Sequence, residues 1–283
     1  MLDLNELTAA CYNLEPLPPT AMRLLRVALQ DEVDVEEIVR VVSYDPALTA
    51  RLLRVANSVE VGGARRIGTV RDAILRLGVG LVLGIALGSS VRVHLDRAAH
   101  PSHIVEGDLW RHSVAAATAG HFARIVSKRS LPVESFTAAL LHDIGKLVLL
   151  RYLTPEVSHV LQHAEEYAGL SQLDAESGIL GIHHGELSGL IARHWRLPEP
   201  IVSGITYHHD PERFDLADNS ICWTVHLADL VAKVVGAGLG DDSVPTLEDH
   251  VAVIGRLGLD EDRFKQLCER VAENLEAVMR WYA

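Results

Sequence analysis

The chain has 283 residues, enough for one large domain or two modest ones with ample core. Hydrophobic residues make up 48% and aromatics only 5%, so the core is aliphatic, which favours helix packed on helix. A formal charge of -12 repels polyanions and argues against general nucleic-acid binding.

The first residues, Met1-Leu2-Asp3-Leu4-Asn5-Glu6, show no basic region followed by an apolar core, so no signal peptide is expected. Leu14-Glu15-Pro16-Leu17-Pro18-Pro19-Thr20 is a stiff extended entry to a helix carrying Met22, Leu25 and Leu29 on one face. Asp34 caps the next helix, with Glu37 as a capping-box partner and Ile38, Val41 and Val42 inward. Asp45-Pro46 places Asp at N-cap and Pro at N1, and Asn57 ends that helix. Gly62-Gly63 breaks the pattern, and Arg65-Arg66 beyond it reads as a solvated loop ahead of the alternative, an anion-binding pair. Thr69 with Asp72 caps a short helix ending near Gly78. Val79 to His94 continues helically, and the apolar run from Val79 to Val91 within it is too short and glycine-broken to span a bilayer. Residues 99–107, with His100 and His103, read as a link.

Asp108 to Lys128 is helical, with His112 in its first turn. Pro132 starts a helix that leads through Phe136 and Leu140 to His142-Asp143. Thr154-Pro155-Glu156 caps another. Ile182-His183-His184-Gly185-Glu186 leads to Trp195, and the helix after Leu197-Pro198-Glu199-Pro200 ends at Tyr207-His208-His209. A helix from Ile221 to Val235 carries Asp229, and an amphipathic one runs from about Asp260 to Trp281. No stretch alternates with period two, so no sheet is expected. Cys11, Cys222 and Cys268 are scattered and read as buried free thiols of a reducing cytoplasm.

The chemistry centres on Leu141-His142-Asp143-Ile144-Gly145-Lys146. Imidazole and carboxylate are ligands for Zn, Fe or Mn, and a lysine three residues on can meet a phosphate. The other candidates lie on separate helices or at helix ends, and a bundle can point such side chains into one cavity. Two ions sharing one carboxylate can polarise a phosphate. Adjacent side chains are about 100° apart on a helix, so at most one of His183 and His184 faces a given cavity. Asp229 stands among Val225, Leu227, Ala228, Leu230 and Val231, and a carboxylate on such a face needs a partner. His121, His159, His163, His194, His226 and His250 read as surface or hydrogen-bonded core histidines.

Arg111-His112-Ser113, His142-Asp143 and Ala228-Asp229 resemble, in order, the His…His-Asp…Asp set of the HD superfamily. More closely, the chain resembles the HDOD family of bacterial signalling proteins, the HD-related output domains. The match runs through Leu17-Pro18-Pro19, Tyr44-Asp45-Pro46-Ala47-Leu48, Leu52-Leu53-Arg54-Val55-Ala56-Asn57-Ser58, Ala73-Ile74-Leu75-Arg76-Leu77-Gly78, Leu109-Trp110-Arg111-His112-Ser113 and Trp195-Arg196-Leu197-Pro198. The resemblance implies an all-α fold, with an N-terminal helical bundle (1–100) packed on an HD-like bundle (107–283), and a regulatory role.

Many HDOD proteins have lost such ligands; this chain keeps them. By resemblance to the HD-GYP phosphodiesterases, His184 falls at the third-histidine position and His208-His209 matches their double histidine. That implies one divalent ion (Fe, Mn, Zn or Mg) held by His112, His142, Asp143 and Asp229. A second would share Asp143 and take His184, His208 and His209. Asp143 and Lys146 would be the catalytic pair, Lys146 facing a substrate phosphate or a bridging group. The chain departs in having Asp210-Pro211-Glu212-Arg213 after the double histidine, no Gly-Tyr-Pro, and Ser188 where a glycine is usual. The expectation is a cytoplasmic signalling output protein acting through partners such as a sensor kinase or response regulator. The alternatives are a metal-dependent phosphohydrolase or phosphodiesterase acting on a nucleotide or cyclic dinucleotide, and a nucleotide-binding module without turnover.

Overall fold

The computed structural model describes residues 4–28, 30, 32–58, 61, 65–96, 106–214, 219–239 and 247–282. Among them the regular structure is helical throughout, with no strand. The first part holds α1 (Leu4–Tyr12), α2 (Pro19–Ala28), α3 (Val35–Ser43), α4 (Pro46–Ala56), α5 (Val70–Leu77) and α6 (Val79–Asp96). The second opens with α7 (Glu106–Val126), α8 (Ser135–Leu141), α9 (Lys146–Tyr152), α10 (Pro155–Ala168) and α11 (Gln172–Leu180). It closes with α12 (His184–His194), α13 (Glu199–Thr206), α14 (Ser220–Val234), α15 (Leu247–Arg256) and α16 (Glu261–Trp281).

Local chemistry sets most of these boundaries. Asp45 accepts the Leu48 amide at 3.0 Å, Thr69 accepts that of Asp72 at 3.1 Å and Asp260 that of Arg263 at 3.0 Å. Asp34 accepts from Glu36 and Glu37, but the capping box expected there does not close. The exposed Arg23 guanidinium, 3.2 Å away, takes the Glu37 carboxylate instead. The helix expected from Pro132 begins at Ser135, after a turn in which Ser135 Oγ donates to the Pro132 carbonyl at 2.7 Å. Expectations for Leu29, Gly62-Gly63, His100, His103 and most of the 99–107 link lie outside the described residues, as do the side chains of His94 and His250.

The core is aliphatic, and one cluster of buried residues runs from Leu7 to Tyr282. Helix α7 is its axis, with α8, α14 and α16 laid against it. Ala115, Ala116, Ala117, Ala119 and Ala123 are buried along α7, and their small side chains let these helices come close. The two parts interlock. Helix α6 lies on α8, and Gly84 leaves room for the Phe136 ring, which a methyl group there would overlap. Helix α1 crosses to the second part, where it packs on α9 and α12, with Cys11 Sγ 3.8 Å from the Leu187 carbonyl. None of the three cysteines forms a disulfide; burial pushes the Cys11 thiol up to about 12 and that of Cys268 to about 11, so neither of these two forms thiolate readily. No helix of the described residues is long and apolar enough to cross a membrane.

Candidate metal centre

His142 and Asp143 stand in the turn between α8 and α9, where the backbone stops being α-helical for four residues, 142–145. Both side chains are buried, at 0% and 2% exposure, in the middle of the α7–α8–α12–α14 assembly. His112 comes from α7, His184 from the first residue of α12, and Asp229 from the interior of α14. His208 and His209 follow the end of α13. The structure thus brings all seven sequence candidates, and Lys146, to one place.

Asp143 is its centre, and its two oxygens face different ways. Oδ2 lies 3.5 Å from His112 Nε2, 3.5 Å from His142 Nε2 and 2.9 Å from Lys146 Nζ. Oδ1 lies 3.3 Å from His184 Nε2 and 3.9 Å from His208 Nε2. Asp229 Oδ1 completes the first side, 3.2 Å from His112 Nε2 and 3.7 Å from His142 Nε2. His209 completes the second, its Nε2 2.6 Å from that of His184. Within each group, Asp143–His184–His208–His209 and His112–His142–Asp143, the ligand atoms lie within 4.8 Å of one another.

The outer ring nitrogens explain why the inner ones are lone pairs. His112 Nδ1 donates to the Ala237 carbonyl at 2.8 Å, His142 Nδ1 to Ala139 at 2.7 Å and His208 Nδ1 to Ile205 at 2.6 Å. A carbonyl only accepts, so each Nδ1 carries a proton, and in the neutral form of each ring Nε2 keeps a lone pair that faces inward. His112 Nε2 and His142 Nε2 are 3.1 Å apart. Lone pairs at such distances repel unless a cation or proton lies among them. Asp143 Oδ1 and His208 Nε2 are buried with no hydrogen-bond partner, which is costly for polar atoms. A nitrogen and oxygen donor set of this kind, short of positive charge, fits a divalent cation. The cluster can hold a metal ion.

The electrostatics agree. Burial pushes His208 and His209 well below the usual histidine range, so both are neutral and able to ligate. Burial also works against charge on Asp143, yet His142, Lys146 and His184 hold its carboxyl well below the usual range. Asp229 is held low in the same way against its burial, chiefly by Lys233, whose Nζ is 3.1 Å from Oδ2. Burial opposes charge on Lys146, but Asp143 outweighs it and the lysine stays protonated.

Only one of the paired histidines at 183 and 184 enters the centre. His183 is the N-cap of α12: its ring Nδ1 accepts the Gly185 amide at 3.1 Å, and Glu186 accepts the His183 amide at 3.3 Å. His159 and His163 are exposed on α10, His194 sits edge-on to Tyr12, and His226 Nδ1 donates to the His208 carbonyl at 2.6 Å. Two residues escape sequence reasoning. Glu176 on α11 is 2% exposed, and its Oε2 lies 2.7 Å from His184 Nδ1; the available signal was Ser171 with Asp174, which caps α11. Lys233 lies one turn after Asp229, and the i,i+4 spacing was its signal.

A family profile described as the HDOD domain matches residues 14–211, well over half of the chain. The chain belongs to the HDOD domain family. The match contains every candidate ligand except Asp229. Over 99% of both chains, this HDOD protein superposes with a TM-score of 0.78 and 26% identity on an HDOD domain protein of unknown function from Geobacter sulfurreducens. A Marinobacter aquaeolei VT8 protein, provisionally assigned to signal transduction, gives 0.74 at 26% identity over 96% of this chain and 59% of its own. A Shewanella amazonensis SB2B protein, provisionally assigned as a phosphohydrolase, gives 0.69 at 25% identity over 98% of both chains. Among curated proteins, an uncharacterized protein of Treponema pallidum is 22% identical over 241 residues, 82% of this chain. The HDOD chain spans 45% of that relative's length.

Proposed function

We propose that this HDOD protein is a signalling output protein whose second part is built around a centre of one or two divalent ions. The observation that carries the reading is Asp143, a buried carboxylate with Oδ1 toward His184 and His208 and Oδ2 toward His112 and His142. His112, His142, Asp143 and Asp229 would hold one ion; Asp143, His184, His208 and His209 would hold the other. Fe, Mn, Zn and Mg are the candidates. The signalling role acts through protein partners of the sensor-kinase or response-regulator kind. Its support is the family and the Marinobacter relative assigned to signal transduction.

Elemental analysis and anomalous scattering of the purified protein test the centre. Bound metal at one or two equivalents, lost in Asp143→Ala, supports it. A metal-free protein that takes up no Mn²⁺, Fe²⁺, Zn²⁺ or Mg²⁺ refutes it.

A second reading, phosphoester hydrolysis, is favoured by Lys146, whose ammonium contacts the carboxylate at the middle of the centre. Bound divalent ions supply Lewis acidity toward a phosphate and activate water. Lys146 holds positive charge beside Asp143 and would offset charge building on a phosphate oxygen. Of the seven candidate ligands, His209 alone is half-buried and the other six are buried. The missing Gly-Tyr-Pro argues against the cyclic-dinucleotide recognition of the HD-GYP enzymes, so other nucleotides enter the test. Turnover of a phosphoester panel by Mn²⁺- or Fe²⁺-loaded protein supports this reading, and its absence leaves the centre structural or sensory.

A further inference from the structure

The histidines of the centre differ in what their outer nitrogens meet. His112, His142 and His208 donate to backbone carbonyls, which are neutral acceptors. His184 Nδ1 lies 2.7 Å from Glu176 Oε2, and the same oxygen accepts the His184 amide at 2.7 Å. Glu176 comes from α11 and is 2% exposed, so its charge is poorly screened by water. A carboxylate drawing on Nδ1–H raises electron density at Nε2 and fixes the ring, which strengthens a histidine as a ligand.

The cations are distributed the other way. Lys146 Nζ is 2.9 Å from Asp143 Oδ2, the oxygen that faces His112 and His142. Lys233 Nζ is 3.1 Å from Asp229 Oδ2, on the same side. Both ammonium groups compete with an incoming cation for the carboxylates of the His112 side. The His184 side has no ion pair to a lysine among the described residues, although the Lys146 charge reaches Glu176 at longer range, and it has the additional buried anion.

We infer that the centre fills in order. The position formed by Asp143, His184, His208 and His209 takes the first divalent cation, and Glu176 is the positioning residue that makes it the tighter one. The position formed by Asp143, His112, His142 and Asp229 fills second. This rests on the metal reading above and deepens it.

The test is titration of the metal-free full chain with Co²⁺, followed by visible absorption and by the equivalents bound. Glu176→Gln keeps the shape and an acceptor oxygen while removing the charge. It is expected to weaken the first equivalent by about 10–100-fold, shift its absorption band and leave the weaker equivalent in place. His209→Gln is expected to abolish the tight equivalent, and His112→Gln only the weak one. These two arms decide the order even where Glu176→Gln does not fold, and far-UV circular dichroism of each metal-free variant reports folding. Wild-type protein that binds no Co²⁺ overturns the metal reading itself. Wild-type protein that binds Co²⁺ tightly, with that equivalent surviving His209→Gln or lost in His112→Gln, overturns the order alone. A folded Glu176→Gln protein with unchanged affinities overturns the role of Glu176.

Discussion

Ser188 Oγ stands 2.8 Å from the Gly145 amide and 2.8 Å from the His184 carbonyl. It accepts from the first and donates to the second. One hydroxyl therefore ties the turn that carries His142-Asp143 to the helix that carries His184. The serine at a position where the resemblance leads one to expect glycine thus has a structural task. Ser188→Ala leaves the buried Gly145 N–H without an acceptor, a loss of about 1–3 kcal/mol. Chemical denaturation should show a lower midpoint at unchanged slope, and an unchanged midpoint would remove the hydroxyl from the account.

Gly145 itself is required for space. A Cβ there would fall on the His184 carbonyl oxygen and lie 2.7 Å from the Ser188 nitrogen, both backbone atoms that cannot swing aside. Gly145→Ala should push α12 away from the turn, cost more stability than Ser188→Ala, and weaken metal uptake by separating His184 from Asp143. Thermal unfolding and bound-metal analysis read the two effects separately.

Asp143 neutralises a buried ammonium as well as facing the histidines. Asp143→Ala strands Lys146, which is 4% exposed, and uncompensated buried charges of this kind cost about 3–5 kcal/mol. The double variant Asp143→Ala/Lys146→Met should recover much of the stability and none of the metal binding. A double variant that is no more stable than the single one would show that the ion pair is not the reason for the loss.

Acid should destabilise the metal-free protein early. His208 and His209 have folded-state pKa values well below the usual range, chiefly through burial. Their contribution is present above the unfolded value of about 6.5 and is lost as pH falls below it. His142 has the opposite sign: burial lowers it, but Asp143 and Asp229 carry it above the usual value, so its contribution is present in acid and lost as pH rises. Two histidines outweigh one, and Asp143 and Asp229, both held low, add a further loss in the carboxylate range. The Tm of metal-free protein should fall between about pH 7 and pH 5. Saturating metal should oppose that fall until protons displace it from its ligands. A Tm flat across this range would contradict the neutral assignment of His208 and His209.

The sequence made the local features legible and left the distant ones hidden. Asp45, Thr69 and Asp260 cap the helices expected of them because capping is settled within three residues. The all-helical class followed from periodicity and an aliphatic composition. The residues now gathered at the centre were recognisable by type, as histidines and aspartates at helix ends or on apolar faces. What joins them was not: Glu176 and His184 meet through packing of α11 against the start of α12, and Cys11 reaches Leu187 across 176 positions. The Asp34–Glu37 box failed for the same reason, since Arg23 belongs to another helix.

Gly84 has a mechanical consequence. The Phe136 ring occupies the space its missing side chain leaves, and Phe136 lies six positions before His142 on the same short helix and turn. Close-packed interiors have low compressibility. A shift of α6 is therefore passed to α8 as a displacement rather than absorbed, and α8 ends at the residues that set the spacing of the centre. The first part of the chain and the histidine cluster form a stiff linkage, with a ring seated in a glycine notch as its joint.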